Sequence, residues 1–377
     1  MLKIEKVDLS SKKQIKDFVQ FQYELYKGVP QFCPPFRNDV ELMLNKQKHP
    51  FFEKSEGDFF VAKINEKIVG RIAVLVNHPF NEYHKTKKGQ FYLFECVNDQ
   101  DVANALFEAA YTWCKERGLN ELVGPKGLSA FDGYGILVDG FEHRQMMIMM
   151  NYNFNYYPIL LETAGFEKEV DFVSCYVKAD EFKIPEKVKE VSRRVQERGK
   201  FKVLTFRNKR QMIKDWADKI GKAYNDTFVN NWEYYPLSDG EIKLLVDNLM
   251  IMADPKLFKI ITYEEKLVGF LLAFPDISAS LQRHNGKLTP LSIIDMLLDL
   301  KKTKWVAING AGVLPEYHGR GGMALLYDEM EKTIRNYGFV HGEMTQVAES
   351  AVQMRRDLLN LGGQPYKNHR VYRKSLD

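Results

Sequence analysis

The sequence predicts an α/β chain of two tandem domains, each built on a mixed sheet with flanking helices. An internal repeat is the first reason. At an offset of 199, Phe59, Glu66, Lys67, Val69 and Gly70 recur as Phe258, Glu265, Lys266, Val268 and Gly269, inside two runs that both read as strand, tight turn, strand. Length is the second: 377 residues exceed what a single core usually fills. The third is a Gly-rich turn, His318-Gly319-Arg320-Gly321-Gly322, set between an apolar strand-like run ending at Val313-Leu314-Pro315 and an amphipathic helix over 323–337.

The other elements follow the same plan. Opening strands over 2–7 and 201–206 share the offset. Asn38 with Glu41, and Ser238 with Glu241, have the spacing of a capping box, so a helix start recurs one residue out of step. Ala164-Gly165-Phe166 answers Leu361-Gly362-Gly363 near the end of each half. These landmarks divide the chain into an N-terminal domain over 1–180, a basic linker helix over 181–200 and a C-terminal domain over 201–377. From Lys183 to Arg210 there are eleven basic residues against three acidic ones. Only Phe201 and Phe206 are aromatic there and the whole chain carries only +4, so the segment reads as a solvated linker rather than a nucleic-acid or membrane patch.

In the C-terminal half, Met323, Leu326, Tyr327, Met330, Ile334 and Tyr337 fall on one helical face, and Gly338 follows as the cap. The opening turn of such a helix leaves N–H groups without partners, and the aligned peptide dipoles place partial positive charge there. Phosphate oxygens satisfy both, which makes the glycine turn a candidate anion cradle. The first half has no such turn. Its Glu95-Cys96-Val97-Asn98-Asp99-Gln100-Asp101 run leads into a helix with Val102, Leu106, Ala109, Ala110 and Trp113 on its buried face and Gly118 as its cap.

Composition excludes several classes. Hydrophobic residues make up 45% and charged residues 28%, the balance of a globular protein. No apolar run reaches the length of a bilayer span; residues 146–150 are the most apolar stretch and are too short. The opening Met1-Leu2-Lys3-Ile4-Glu5-Lys6 lacks the pattern of a secretory signal. Cys33, Cys96, Cys114 and Cys175 show neither metal-ligand spacing nor a disulfide framework, so reduced thiols, a cytoplasmic location and no metal are expected.

The run from Val313 to Leu326 resembles the acyl-CoA pyrophosphate loop of the GNAT (Gcn5-related N-acetyltransferase) superfamily, commonly written Q/R-x-x-G-x-G/A. His318 stands at the Gln/Arg position, Gly321 matches the central glycine and Met323 replaces the final Gly/Ala. The strand, loop, helix, strand, helix, strand order through Tyr366 to Lys374 is similar to that superfamily over residues 200–374. The resemblance implies two tandem GNAT-like domains and direct acyl transfer from acetyl-CoA or another acyl-CoA to a primary amine of a small molecule or peptide. It assigns cofactor contacts to Gly312, Val313, Leu314, His318, Gly319, Arg320, Gly321, Gly322, Met323 and Ala324. Main-chain N–H groups near Gly312 to Leu314 would polarise the thioester carbonyl.

Glu343 and Glu349 are the candidate proton acceptors, with His318 and His341 electronically suited as well. The superfamily's tyrosine proton donor is replaced by Leu358, with Leu161 in the first half, so Tyr366 is the candidate substitute. A catalytically silent acyl-CoA-binding module is the competing reading. On the acceptor side stand Trp232, Tyr234 and Tyr235, in the run Asn230-Asn231-Trp232-Glu233-Tyr234-Tyr235-Pro236. Tyr156 and Tyr157 follow a Gly-punctuated stretch from Gly124 to Gly140 that lacks the Gly-Lys-Ser/Thr ending of a nucleotide loop. They either line a pocket at the domain interface or form an aromatic seam. Asp99 and Asp101 are poor neighbours for a pyrophosphate, so one cofactor site is expected, in the C-terminal half, with the N-terminal half degenerate. A monomer or weak dimer is expected.

Overall fold

The structure is a computed structural model that describes residues 1–129, 132–147, 150–180, 182–229 and 231–376, without the side chains of residues 217, 218, 220, 224 and 249–251. Asn230, residues 148–149 of the apolar stretch and residues 130–131 of the Gly-punctuated stretch lie outside the described residues. In chain order the first half holds β1 (Leu2–Lys6), α1 (Lys12–Leu25), α2 (Arg37–Met43), β2 (Glu56–Ile64), β3 (Lys67–Val76), α3 (His78–His84) and β4 (Lys88–Cys96). It continues with α4 (Gln100–Lys115), β5 (Glu121–Gly124), β6 (Ile136–Asp139), α5 (Tyr157–Thr163) and β7 (Glu167–Lys178). Helix α6 (Glu186–Glu197) opens the second half. After it come β8 (Phe201–Val203), α7 (Lys209–Thr227), α8 (Asp239–Met252), β9 (Phe258–Tyr263), β10 (Lys266–Pro275), α9 (Ser278–His284) and α10 (Pro290–Lys302). The chain ends with β11 (Trp305–Val313), α11 (Gly322–Tyr337), β12 (His341–Ala348), α12 (Val352–Asn360) and β13 (Gln364–Ser375).

The repeat is visible residue by residue. Both hairpins, β2–β3 and β9–β10, turn on two consecutive non-glycine residues at positive φ, Asn65 and Glu66 in one and Glu264 and Glu265 in the other. This is the twist that two-residue hairpins require. Each hairpin also has a register shift next to the repeated glycine, between Ala62 and Lys63 and between Leu267 and Gly269. Helices α3 and α9 both close on a left-handed residue, Lys85 and Asn285. Beyond that point the halves diverge. The first half passes from His84 to Lys88 in a few residues, whereas the second inserts α10 before Trp305.

Two compact units result, and they are not contiguous in sequence. Unit 1 comprises Met1–Val173, Ile277–Asp299 and Lys367–Asp377; unit 2 comprises Ser174–Asp276 and Leu300–Tyr366. The divisions at 180 and 200 expected from the repeat therefore do not coincide with compactness: α9 and most of α10 pack with unit 1, and α6 packs on α11 inside unit 2. In unit 1 the antiparallel run β1-β2-β3-β4 continues through the parallel partner β5 to β13, on which β6 also pairs. Residues 136–139 of the expected loop thus form a strand. One face buries Val102, Leu106, Phe107 and Ala110 of α4, and the other buries Phe18, Val19 and Tyr23 of α1. Unit 2 has β12-β11-β10-β9-β8, with only β11–β12 parallel, and its core sets Leu325, Leu326, Met330 and Ile334 of α11 against Val268, Leu271, Ala273 and Val306.

One expected cap is absent. Ser238 and Glu241 form the reciprocal capping box, whereas α2 begins two residues earlier than Asn38 implies, at Arg37 after Phe36, and has no side-chain cap. The Arg37 amide donates instead to the carbonyl of Gly286 at 3.0 Å. All four cysteines are buried and lie outside any disulfide.

Candidate functional site

Strands β11 and β12 pair in parallel from Trp305 with His341 to Ile308 with Met344. Past that point β11 bends on a bulge: Leu271 faces Ala311 and Ala273 faces Ile308, so one strand spends an extra residue, and Gly310 sits at φ 88°. Glycine enters that conformation without a Cβ penalty. Residues 309–313 of β11 therefore part from 345–348 of β12. The Leu314 amide donates to Val268 at 2.8 Å. Since N–H directions alternate along a strand, the Val313 amide points the opposite way, away from β10 and into the opening.

After β11, Pro315–Tyr317 make one 3-10 turn and Gly319 and Gly321, at φ 73° and 87°, reverse the chain into α11. The first intrahelical bond runs from Leu325 N–H to Gly321 C=O, and no side chain caps the helix. The amides of Gly322, Met323 and Ala324 are thus offered at a bare helix start. Packing fixes the glycines. A Cβ at Gly321 would lie 2.6 Å from Val195 of α6, and one at Gly322 would lie 3.0 Å from Ile261. His318 braces the turn, with Nε2 2.8 Å from the carbonyl oxygen of Val313. Arg320 is exposed, its guanidinium 5.1 Å from the Tyr317 ring centre and 5.9 Å from that of Tyr263, beside the bare amides.

The same point of the first half is closed. Gly70 pairs with Cys96 as Gly269 pairs with Val313, so Cys96 is the counterpart of Val313. Val97 donates to Val69 just as Leu314 donates to Val268. The Cys96 amide, however, donates to the Tyr157 hydroxyl at 3.0 Å. Phe91 and Phe94 fill the space with Phe107, Phe166 and Tyr157, ring centres 4.8–5.6 Å apart. At the start of α4 the Asp99 carboxylate accepts from the amides of Asp101 and Val102, at 2.9 and 3.3 Å. A carboxylate thus occupies the place where the second half leaves its amides open.

The remaining sequence-predicted residues divide. Glu343 is fully buried on β12, one residue before the parallel pairing ends, and it faces the same side as His341 and Thr345. Glu349 is half-buried in the turn after β12. Tyr366 stands at the start of β13 with its ring 6.0 Å from Tyr176, whose hydroxyl is 2.7 Å from Nδ1 of His341. Tyr235 donates to Glu241 at 2.7 Å and supports the α8 cap, while Trp232 and Tyr234 are half-buried in the loop before it. Tyr156 and Tyr157 lie in unit 1: Tyr156 donates to the Cys96 carbonyl at 2.7 Å and Tyr157 to Glu95 at 2.7 Å. Burial raises the Glu95 carboxyl above its usual range, opposed by Arg71.

The structure adds residues that the sequence reading missed. Asn309 Nδ2, Thr345 Oγ1 and Thr227 Oγ1 are buried and have no hydrogen-bond partner among the described residues. Asn309 and Thr345 flank the parting of β11 and β12, and Thr227, closing α7, sits directly against Gly312, where a Cβ would collide with its methyl group. A polar residue at the fifth position of the run Trp305-Val306-Ala307-Ile308-Asn309 was the available signal. Tyr327 of α11 directs its hydroxyl to Met354 Sδ on α12 at 3.8 Å, and burial pushes its pKa above the usual tyrosine range. Among the described residues no cluster of His, Cys, Asp and Glu could hold a metal ion.

Solved structures with this arrangement exist. A tandem GNAT protein from the clavulanic acid biosynthesis pathway superimposes over 100% of this chain and 99% of its own, with a TM-score of 0.59 at 10% identity. The fold is that of a tandem GNAT protein. A GCN5-related N-acetyltransferase from Sphaerobacter thermophilus covers 100% of this chain and 96% of its own, at a TM-score of 0.51 and 11% identity. Two curated relatives span nearly the full length. Protein YghO of Escherichia coli is 24% identical over 372 residues, 97% of this chain and 94% of the relative. A bacterial ceramide synthase of Caulobacter vibrioides is 26% identical over 371 residues, 96% of this chain and 95% of the relative. No protein-family profile matches the chain.

Proposed function

We propose that the chain is an acyl-CoA-dependent N-acyltransferase with one active site, in unit 2, that transfers an acyl group directly to a primary amine. The observation that carries this reading is the coincidence of a bare helix start at Gly322–Ala324 with an outward-pointing Val313 amide, both at the parting of β11 and β12. The amides of Gly322, Met323 and Ala324, with Arg320 beside them, suit a pyrophosphate in geometry and charge. The Val313 amide is placed to donate to a thioester oxygen as it gains negative charge, an interaction worth about 2.7–4 kcal/mol in the transition state. Gly319 and Gly321 hold this backbone, and Gly312, Leu314 and His318 shape it.

In this reading the amine attacks the thioester carbon, its proton passes to Glu343 or Glu349, and the C–S bond breaks to release the CoA thiolate. Glu343 is the preferred acceptor because it stands at the end of the β11–β12 pairing, beside Asn309 and Thr345. Tyr366 or Tyr327 returns a proton to the thiolate. Leu358, buried on α12 where the resemblance expects a tyrosine, supports the second reading, a module that binds acyl-CoA without turning it over.

The ceramide synthase relative supports adding long-chain acyl-CoA and a long-chain amino alcohol to a panel of acetyl-CoA, small amines and peptides. Thiol release that depends on one amine, lost about 100-fold or more in Glu343→Gln with CoA affinity unchanged, is the expected result. Tight CoA binding with no thiol release across the panel would favour the silent module, and no CoA binding would overturn both readings.

A further inference from the structure

Helix α10 has its amphipathicity reversed. On a helix packed against a globular core the apolar stripe faces inward and the polar side faces water. Here Ser292 is buried at 2% exposure, and Asp295 and Asp299, on the same side at i+3 and i+7, turn back to pair with Arg283 at 2.8 and 2.9 Å. Asp295 also lies 3.0 Å from His284. The outward side is apolar: Leu291, Ile294 and Leu298 are 68%, 56% and 45% exposed, with Ile293 and Leu297 beside them and Leu288 just ahead. These residues fill a broad arc at about 100° per residue, opposite the Ser292 side.

Charge completes the pattern. The acidic groups of α10 are answered within the fold, whereas Lys287 before the helix and Lys301 and Lys302 in its last turn are exposed, and no ion pair among the described residues engages them. An exposed apolar stripe between unneutralised lysines complements an apolar layer under negative charge. The helix has 13 residues, and no helix among the described residues is long and apolar enough to cross a membrane. It is therefore shaped to lie in an interface and not to span it. It is also an insertion: the first half joins α3 to β4 directly where the second carries α10.

We infer that α10 is a docking surface for a lipid bilayer bearing anionic headgroups, seated with Leu291, Ile294 and Leu298 among the acyl chains and Lys287, Lys301 and Lys302 at the phosphates. The inference stands on the surface of α10 alone and holds whichever amine is acylated. Co-sedimentation of the full chain with vesicles of phosphatidylcholine alone, or mixed with phosphatidylglycerol, tests it. The wild-type chain binds the mixed vesicles, more weakly as salt is raised. The variant Leu291→Asp/Ile294→Asp/Leu298→Asp, altered only at exposed positions, keeps the wild-type circular dichroism and loses at least tenfold in binding. Lys287→Glu/Lys301→Glu/Lys302→Glu loses the preference for phosphatidylglycerol, about fivefold per lysine. A wild-type chain that stays in the supernatant, or a triple Asp variant that binds as well as wild type, overturns the inference. So does a wild-type dimer in light scattering that the triple Asp variant dissociates without any vesicle binding, since a second copy would then cover the face.

Discussion

Two buried histidines of unit 1 tie its stability to pH. His369 is fully buried with Nε2 3.0 Å from the Asn151 carbonyl oxygen, and burial lowers its pKa to about 4. His49, 5% exposed, accepts the Phe51 amide on Nδ1 at 3.3 Å, which requires that nitrogen to be unprotonated, and burial lowers it to about 4 as well. Both folded-state values lie below the ordinary histidine value of about 6.5, so the unfolded chain binds more protons between these limits. The stability these residues contribute is present above about pH 6.5 and is lost as pH falls towards 4. Urea unfolding at pH 7 and pH 5 should differ by about 2 kcal/mol for each histidine, and His369→Gln should shrink the difference by about that amount. Equal stability at the two pH values would refute the assignment. Neither histidine was singled out in the sequence, because a lone histidine gives no sign of its burial until the strands that enclose it are placed.

At the scale of elements, α4 and α11 are the same helix of the repeat with opposite starts. Asp99 caps α4 through its carboxylate, while Gly321 gives α11 a backbone turn and no side-chain cap. Replacing an N-cap Asp by Ala costs about 1 kcal/mol, so Asp99→Ala should lower stability by that amount. It should leave CoA affinity unchanged, because Tyr157 and the Phe91–Phe94 cluster still close the opening beside α4. A gain of CoA binding in the variant, read by calorimetry, would show that the carboxylate alone had kept the site shut. Much of this contrast was legible in the chain, since Asp99 and the glycines at 319, 321 and 322 each declare a local backbone requirement. The false capping box at Asn38 marks the limit of such reading. Spacing alone matched, but the Arg37 amide found a partner in Gly286, almost 250 positions away, and the helix began two residues early.

For the whole molecule, the hairpin repeat, the helix order and the glycine turn before α11 could be read from sequence because each rests on contacts between near neighbours. The assignment of residues 277–299 and 367–377 to unit 1 could not be, since it depends on which sheet a distant segment joins. The same holds for α10, whose apolar periodicity says helix but not which side faces out, and for Asn309 and Thr345, single polar residues in apolar strands. One consequence can be measured on the intact chain. If unit 1 has closed its copy of the site and unit 2 has kept its own, calorimetric titration with CoA gives a stoichiometry of one per chain. Gly321→Ala should abolish that binding rather than halve it, because a Cβ there meets Val195 at 2.6 Å in a backbone at φ 87°. Gly319→Ala, at φ 73° with open space around it, bears only the backbone penalty of roughly 1 kcal/mol and should weaken binding about fivefold. Two CoA per chain, or half the sites surviving in Gly321→Ala, would place a working cofactor site in unit 1 and remove the distinction between the halves.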